Sequence, residues 1–520
     1  MGVWLPALLV MAATLVPLVY LGVRAAEAGS GFGALVFRAR TARVLLNTAL
    51  LAAGVGFGSA LVAVPLAWLT TRTDLPGRRV WSVLATLPLV IPSYVGALTV
   101  VAALGPRGFL QQTLAPLGIE HVPEIYGFGG ACLTLVLFTY PFVYIGTRGA
   151  LLGVDPAIEE AARSLGGGHW RTFFRCTLPQ TRPALVAGVL LAALYAVSDF
   201  GVVTLLRFDA FTRVIYVQYR SSFDRSQAAA TALVLVVFAS VILAAETRAR
   251  GRAAYHRLGS GAARRARPVP LGRWRWPATA FCLTVVAASL GLPVGVLTWW
   301  LASGASGEII IGDLIRTAAN SVGVSAAAAV VATIAALPVA VLAVRYGGRL
   351  ARLTERVTYL GYALPGIVVA LAFVSLGATY LPGIYQTLPL LVAAYVVRFL
   401  PQAVGSVRAA LLQVSPRVEE ASRTLGRSGA TTAVSVTLPL AAPGIGAGAT
   451  LVFLTVMKEL PVTLLLRPTE WDTLATAIWG ASSGGAYGKA AAPALLLILL
   501  AAIPTVLLDL RRGAPRRGEG

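Results

Sequence analysis

The chain has 520 residues, 57% hydrophobic and only 12% charged, with a mean hydropathy of +0.78. A soluble domain carries about a quarter charged residues, so a soluble enzyme or binding module is excluded as the main architecture. The formal net charge is +22, but the arginines sit between apolar runs, which reads as membrane topology and not as a nucleic-acid-binding surface.

The apolar runs are long enough to cross a bilayer as helices, about 20 residues each, and they do not alternate as barrel strands would. Six are predicted in the first half: Pro6–Val23, Val44–Leu69, Val80–Leu104, Gly130–Leu152, Ala184–Leu206 and Ala228–Ala245. Six more follow at Pro277–Leu301, Asn320–Val344, Val357–Leu376, Leu388–Leu411, Gly444–Leu466 and Ala491–Leu508. The fold class is therefore an all-α polytopic membrane protein of about twelve spans. The first span has no basic leader and no convincing cleavage site, so it reads as a retained helix and not a signal peptide.

Arginine placement sets the expected orientation. Basic segments Thr71–Arg79, Thr247–Trp276, Arg345–Arg356 and Arg511–Arg517 all fall on the cytoplasmic side if both termini are inside. Arg24, Arg38, Arg40 and Arg43 then lie outside or at the interface, where an amphipathic surface segment is the one reading that accommodates them. The acid-free segment 247–276 reads as a linker between halves 1–246 and 277–510, with 511–520 a basic tail. A plain tether accounts for the linker, and lipid regulation is the alternative. Cys132, Cys176 and Cys282, like His121, His169 and His256, are scattered without metal-ligand spacing. No disulfide framework or metal centre is assigned.

The two halves are a repeat. Asn47, Pro65 and Pro92 reappear as Asn320, Pro338 and Pro365, 273 residues on; Pro141, Pro156, Gly166, Pro179 and Pro183 reappear as Pro401, Pro416, Gly426, Pro439 and Pro443, 260 on. The first half carries the longer outside loop, around Gly105–Gly127. Both copies share one inferred orientation, which makes this a parallel repeat suited to a central pathway; a channel or a scaffold could be built the same way.

One charged phrase is written twice: "EEAARSLGGG" at Glu159–Gly168 and "EEASRTLGRS" at Glu419–Ser428, each in a loop expected to be cytoplasmic. Asp155 and Ser415 are expected N-caps, with Pro156 and Pro416 at the first helical position. Ile158, Ala161 and Leu165 share a face, as do Val418, Ala421 and Leu425. Glu159 is expected to pair with Arg163, and Glu419 with Arg423, one turn apart. Gly166 and Gly426 are expected helix ends, and a second short helix is expected to stop before Pro179 or Pro439. A surface helix lying on the inner leaflet is the bland reading, and two acids in a row argue against it because that leaflet is anionic. A docking element for a cytoplasmic partner with twofold symmetry fits better.

The segments Glu160–Pro179 and Glu420–Pro439 resemble the cytoplasmic EAA loop of binding-protein-dependent ABC importer permeases: Glu-Ala-Ala, three residues, Gly, nine residues, an aliphatic residue, one residue, Leu-Pro. Cys176 and Ser422 are the departures. The resemblance covers both six-helix halves and implies the type I importer permease fold in a cell (inner) membrane. It also implies coupling helices that seat in a cytoplasmic ABC ATPase dimer, carried by Glu160, Ala161, Gly166, Leu178 and Pro179, and by Glu420, Ala421, Gly426, Leu438 and Pro439.

The chain's only lysines are Lys458 and Lys489, and "GKA" at Gly488–Ala490 fails the P-loop pattern. ATP and Mg are therefore expected on a separate ATPase chain, with no cofactor bound here and no catalytic residues. Ligand capture is expected from a separate extracytoplasmic binding protein. The fused halves, with Ser198–Tyr216 and Val456–Trp479, resemble the ferric-iron subgroup; thiamine, phosphonate, sulfate or polyamine are the alternative cargoes. Asp199 and Glu459 match each other late in their spans, where a carboxylate is costly unless it faces a cavity or a partner. They could form a transient oxygen site for a hard ion, or pair with Arg and cap helix ends. A secondary transporter, the remote alternative, has no use for the doubled phrase.

Overall fold

The computed structural model describes residues 3–27, 31–106, 108–118, 123–166, 168–221, 225–251, 268–308 and 310–513. His121, His256, linker residues 252–267 and tail residues 514–520 lie outside them. The described chain is helical. In the first half run α1 (Trp4–Glu27), α2 (Ala39–Arg72), α3 (Ser93–Leu104), α4 (Phe128–Gly153), α5 (Pro156–Ser164), α6 (Leu178–Ser198), α7 (Gly201–Leu205) and α8 (Arg225–Gly251). Then come α9 (Arg275–Val286), α10 (Leu292–Ala302), α11 (Ile311–Val341), α12 (Gly348–Leu360), α13 (Gly366–Tyr380) and α14 (Leu388–Gln413). The chain closes with α15 (Pro416–Thr424), α16 (Leu438–Met457), α17 (Pro461–Leu466), α18 (Leu474–Ser483) and α19 (Ala491–Gly513).

Among the described residues, 11 helices are long and apolar enough to cross a membrane, or 12 if the segments Gly348–Ala363 and Gly366–Tyr380, bent by 106°, count as one span. Two departures from simple spans share a cause. The expected span Val80–Leu104 is broken around Pro88 and Pro92, and its repeat partner Val357–Leu376 is broken at Pro365. A proline disfavours helical geometry in the residue before it and lacks an N–H to donate. The expected spans Ala184–Leu206 and Gly444–Leu466 begin earlier than the hydropathy implies and end at Ser198 and Met457; Asp199 and Glu459 sit in the breaks before α7 and α17.

The chain divides into two compact units. One comprises Leu35–Phe223 and Val234–Ser303. In it α2, α4 and α6 pack along one another around Ala63, Leu66, Tyr140, Tyr144 and Ala192. Cys282 and Val285 of α9 belong to this same core. The other comprises Met1–Ala34, Asp224–Leu233 and Gly304–Gly520. In it α11, α14 and α16 form the corresponding bundle, and α1 packs on α11, α12 and α13. The first helix of each sequence half thus belongs to the compact unit built by the other half.

The matched asparagines do matched work within their units. Asn47 Nδ2 donates to the Asp209 carbonyl at 3.1 Å, and Asn320 Nδ2 to the Asp472 carbonyl at 2.9 Å. Next to them, Thr48 Oγ1 accepts from Phe211 N–H and Ser321 Oγ from Leu474 N–H. Each pair fastens the segment beyond a broken helix to the long helix α2 or α11. The described end of the linker is also fastened. Val269 N–H donates to the Arg72 carbonyl at 2.8 Å, Leu271 N–H donates to Asp74 Oδ1 at 2.8 Å, and Arg275 lies 3.5 Å from Asp74. Arg24 pairs with Glu27 at 2.7 Å, while Arg38, Arg40 and Arg43 are exposed.

Candidate functional site

The doubled phrase forms two short helices, α5 and α15. Asp155 caps α5 as expected, its Oδ1 accepting from Ala157 N–H at 3.0 Å. Ser415 occupies the same position before α15, but its hydroxyl makes no capping bond. Gly166 and Gly426 both have φ of +83°, the left-handed conformation in which a side chain is strained and a helix ends.

The segment after each glycine corrects the expectation of a helix that stops before proline. His169–Thr172 leads into a π-helical turn, Phe173–Thr177, which continues directly into α6; Gly429–Thr432, Ala433–Thr437 and α16 do the same. The wider turn lets Leu178 N–H reach the Phe173 carbonyl, five residues back, so Pro179 is absorbed near the start of the next helix.

The two acids of each phrase face different ways. Glu160 and Glu420 are exposed, with Ala161, Ala421, Gly166 and Gly426. Around them Leu165 and Leu425 are 88% and 82% exposed, and Ile158, Val418, Phe174 and Val434 are also exposed. Leu178 and Leu438 are half-buried, beside exposed Pro179 and Pro439. Each loop therefore presents an acid, small residues and bare aliphatic side chains together.

Glu159 and Glu419, by contrast, are only 8% and 7% exposed. Glu419 pairs with Arg345 and not with the expected Arg423, and Glu159 too takes a partner distant in the chain. Glu159 Oε1 lies 3.3 Å from Arg72 Nη2 and accepts from Thr177 Oγ1 at 2.8 Å. Glu419 Oε1 lies 2.9 Å from Arg345 Nη2 and accepts from Thr437 Oγ1 at 2.9 Å. The Arg163 side chain lies outside what is described. The same arginines donate to carbonyls at the ends of α4 and α14: Arg72 to Leu151 and Val154 at 2.8 and 3.4 Å, and Arg345 to Leu411 and Val414, both at 3.1 Å. A buried ion pair survives desolvation when further hydrogen bonds engage its remaining donors and lone pairs, and these carbonyls lie in the last turn and at the C-cap of each helix, where the backbone offers few donors. Nothing in the spacing along the chain marks Arg72 and Arg345 as partners of these acids. Their only sequence signal is their matched place at the ends of two matched spans.

Ser422, where the second copy departs from the EAA pattern, is buried and within 3.1 Å of Thr432 Oγ1, so its hydroxyl joins the loop's own two segments.

Asp199 and Glu459 are both buried. Asp199 accepts from Val202 N–H at 2.8 Å and from the Ser93 hydroxyl; Glu459 accepts from Val462 N–H at 3.3 Å and pairs with Arg398 at 3.2 Å. Each carboxylate caps the short helix after a break. Their partners differ because Ser93 corresponds to Gly366. A Cβ on Gly366 would lie 2.7 Å from Glu459 Oε1 and 2.8 Å from Arg398 Nη1, so the missing side chain makes room for the ion pair. Arg398 escaped the sequence reading, although a lone arginine inside an apolar span is a signal by itself. Among the described residues, no three His, Cys, Asp or Glu side chains gather as metal ligands would.

The family described as "Binding-protein-dependent transport system inner membrane component" matches residues 59–247 and 329–512. The Fe(3+)-transport system permease protein FbpB 2 of Haemophilus influenzae is 32% identical over 511 residues, 97% of this chain and 97% of that protein. The ferric transport system permease protein FbpB of Actinobacillus pleuropneumoniae is 25% identical over 480 residues, 88% of this chain and 69% of that protein. The molybdenum transport system permease protein ModB of Escherichia coli is 37% identical over 136 residues, 26% of this chain and 58% of that protein.

Proposed function

The chain belongs to the binding-protein-dependent inner membrane transport components, and from that premise we propose that it is the permease of an ATP-driven ferric-iron importer. The observation that carries the cargo is coverage. Similarity to the Fe(3+) permease runs through both halves, 97% of each chain, whereas the molybdenum permease aligns with 26% of this one.

In this reading the loops holding α5 and α15 face the cytoplasm, with both termini. Glu160, Ala161 and Gly166 meet one ATPase subunit, and Glu420, Ala421 and Gly426 the other. Leu178–Pro179 and Leu438–Pro439 anchor the docking segments to α6 and α16. The bare aliphatic residues supply apolar contact, and the acids supply electrostatic selection. ATP and Mg act on the partner chain, and an extracytoplasmic binding protein delivers the ion. ATP-driven closure of the ATPase dimer moves both loops and alternates access to the pathway.

Asp199 and Glu459 serve that pathway chiefly as positioning residues. Their oxygens already satisfy a hydroxyl, a guanidinium and two backbone N–H groups, and they hold α7 and α17 where the spans break. An importer's pathway must release the ion it admits, so tight ligation is not needed there.

The test is reconstitution of the chain with its ATPase in liposomes. ATP-dependent uptake of ferric iron is expected with a ferric-binding protein, and none of thiamine or phosphonate with theirs. Failure of the loaded ferric-binding protein to stimulate ATP hydrolysis, with stimulation by one of the others, would assign the cargo elsewhere.

A further inference from the structure

Glu159 and Glu419 are too buried to touch a docked ATPase, yet in both halves the acid pairs with an arginine and accepts from a threonine hydroxyl. One carboxylate oxygen ties together three places on the chain. Arg72 stands at the end of α2, Glu159 lies on α5, and Thr177 immediately precedes α6, while the Arg72 guanidinium also holds two carbonyls where α4 ends. Arg345, in the π turn Leu342–Tyr346 that continues α11, ties that turn to Glu419 on α15 and to the end of α14, and Glu419 reaches Thr437 at the start of α16. In each unit these are the three long helices that pack together as its bundle.

We propose that Arg72–Glu159–Thr177 and Arg345–Glu419–Thr437 are positioning knots that make each docking helix move as one body with its three core helices. The inference rests on the reading of α5 and α15 as the ATPase-facing elements. Without the knot, α5 is joined to the bundle mainly through its flanking backbone, which includes the left-handed Gly166. A push on α5 would then bend those joints before it tilted α2, α4 or α6. With the knot, the charged pair resists separation in a site largely removed from water, and the guanidinium at the end of α4 interacts favourably with that helix's negative pole. The doubled acid acquires a division of labour: the outer glutamate receives the motor and the inner one transmits its movement.

The experiment uses the full complex of chain, ATPase and binding protein in liposomes. Spin labels at Ala157 on α5 and Thr71 on α2 report whether the two elements move together. In the otherwise unaltered chain their separation should stay constant when ATP is added; in Glu159→Gln with Glu419→Gln it should change. A separation that changes equally in both overturns the proposal, and this readout does not depend on the cargo. Ferric ions taken up per ATP hydrolysed should fall about tenfold in the same variant, within the range found for couplings carried by packed networks. Arg72→Lys with Arg345→Lys in the otherwise unaltered chain, which keeps the charge but loses the guanidinium's several donors, should lower that ratio less than the glutamine variant does. A purely structural role would reduce the amount of complex and leave the ratio unchanged, which also overturns the proposal.

If the glutamine variant does not assemble, Thr177→Val with Thr437→Val decides, because the ion pair is kept. A smaller fall in the ratio supports the knot, and an unchanged ratio with constant label separation overturns it. Failure of the unaltered chain to bind an ATPase would instead remove the functional reading beneath it.

Discussion

Glu160 and Glu159 are adjacent, and burial alone distinguishes them: the first is exposed and the second is buried. Replacing exposed Glu160 and Glu420 by Ala should leave thermal stability within about 0.5 kcal/mol, as surface changes usually do. Retention of the ATPase on affinity purification should nevertheless fall; unchanged retention and unchanged uptake would remove these residues from the docking surface. Gly366 offers a second residue-scale test, because its missing side chain is what admits Arg398 beside Glu459. Gly366→Ala should destabilise the protein by about 1–3 kcal/mol, the usual cost of forcing extra volume into a packed site, and this is read as a lowered midpoint of thermal unfolding. Gly446, which has open space where a Cβ would go, is the control: Gly446→Ala should lower the midpoint far less.

At the scale of elements, α5 and α15 carry the same phrase but not the same cap. Asp155→Ala removes an observed bond to Ala157 N–H and should weaken α5 by about 1 kcal/mol. Ser415→Ala removes a hydroxyl that makes no capping bond and should change α15 little. Hydrogen exchange at the two helices measures the difference, and equal effects would mean that the local capping geometry does not set their stability. The helices themselves, the glycines that end them and the repeat of their surroundings were legible from residue pattern. The π turns were not. A proline after a short helical run predicts a stop, whereas here a widened turn and the helix beyond it continue through the proline. The broken spans were half legible: the prolines were plain, but a uniformly apolar run hides a break because hydropathy does not register backbone direction.

For the whole molecule, the exchange of first helices has a measurable consequence. Helix α1 packs on α11, α12 and α13 within one compact unit. Deleting residues 1–34 should therefore increase proteolysis of the segment around Gly348–Leu360, far along the chain. Protection of that segment in the truncated protein would contradict the packing. The linker's fastened end bears on the other unit: Asp74→Ala removes the acceptor of Leu271 N–H and the partner of Arg275. It should expose the linker to protease without abolishing assembly.

Composition, the apolar period and the doubled phrase by themselves determined a helical membrane protein of two repeated halves and the place of the two loops proposed to dock an ATPase. Those properties are written in residues close together in the chain, where turn chemistry and hydropathy act locally. Only the tertiary structure decided that Glu159 and Glu419 face inward to Arg72 and Arg345. It also decided that Asp199 and Glu459 cap broken helices, and that the first helix of each half packs with the other. These depend on which surfaces meet across tens to hundreds of residues, and a buried charge takes whichever partner the packed bundle places beside it.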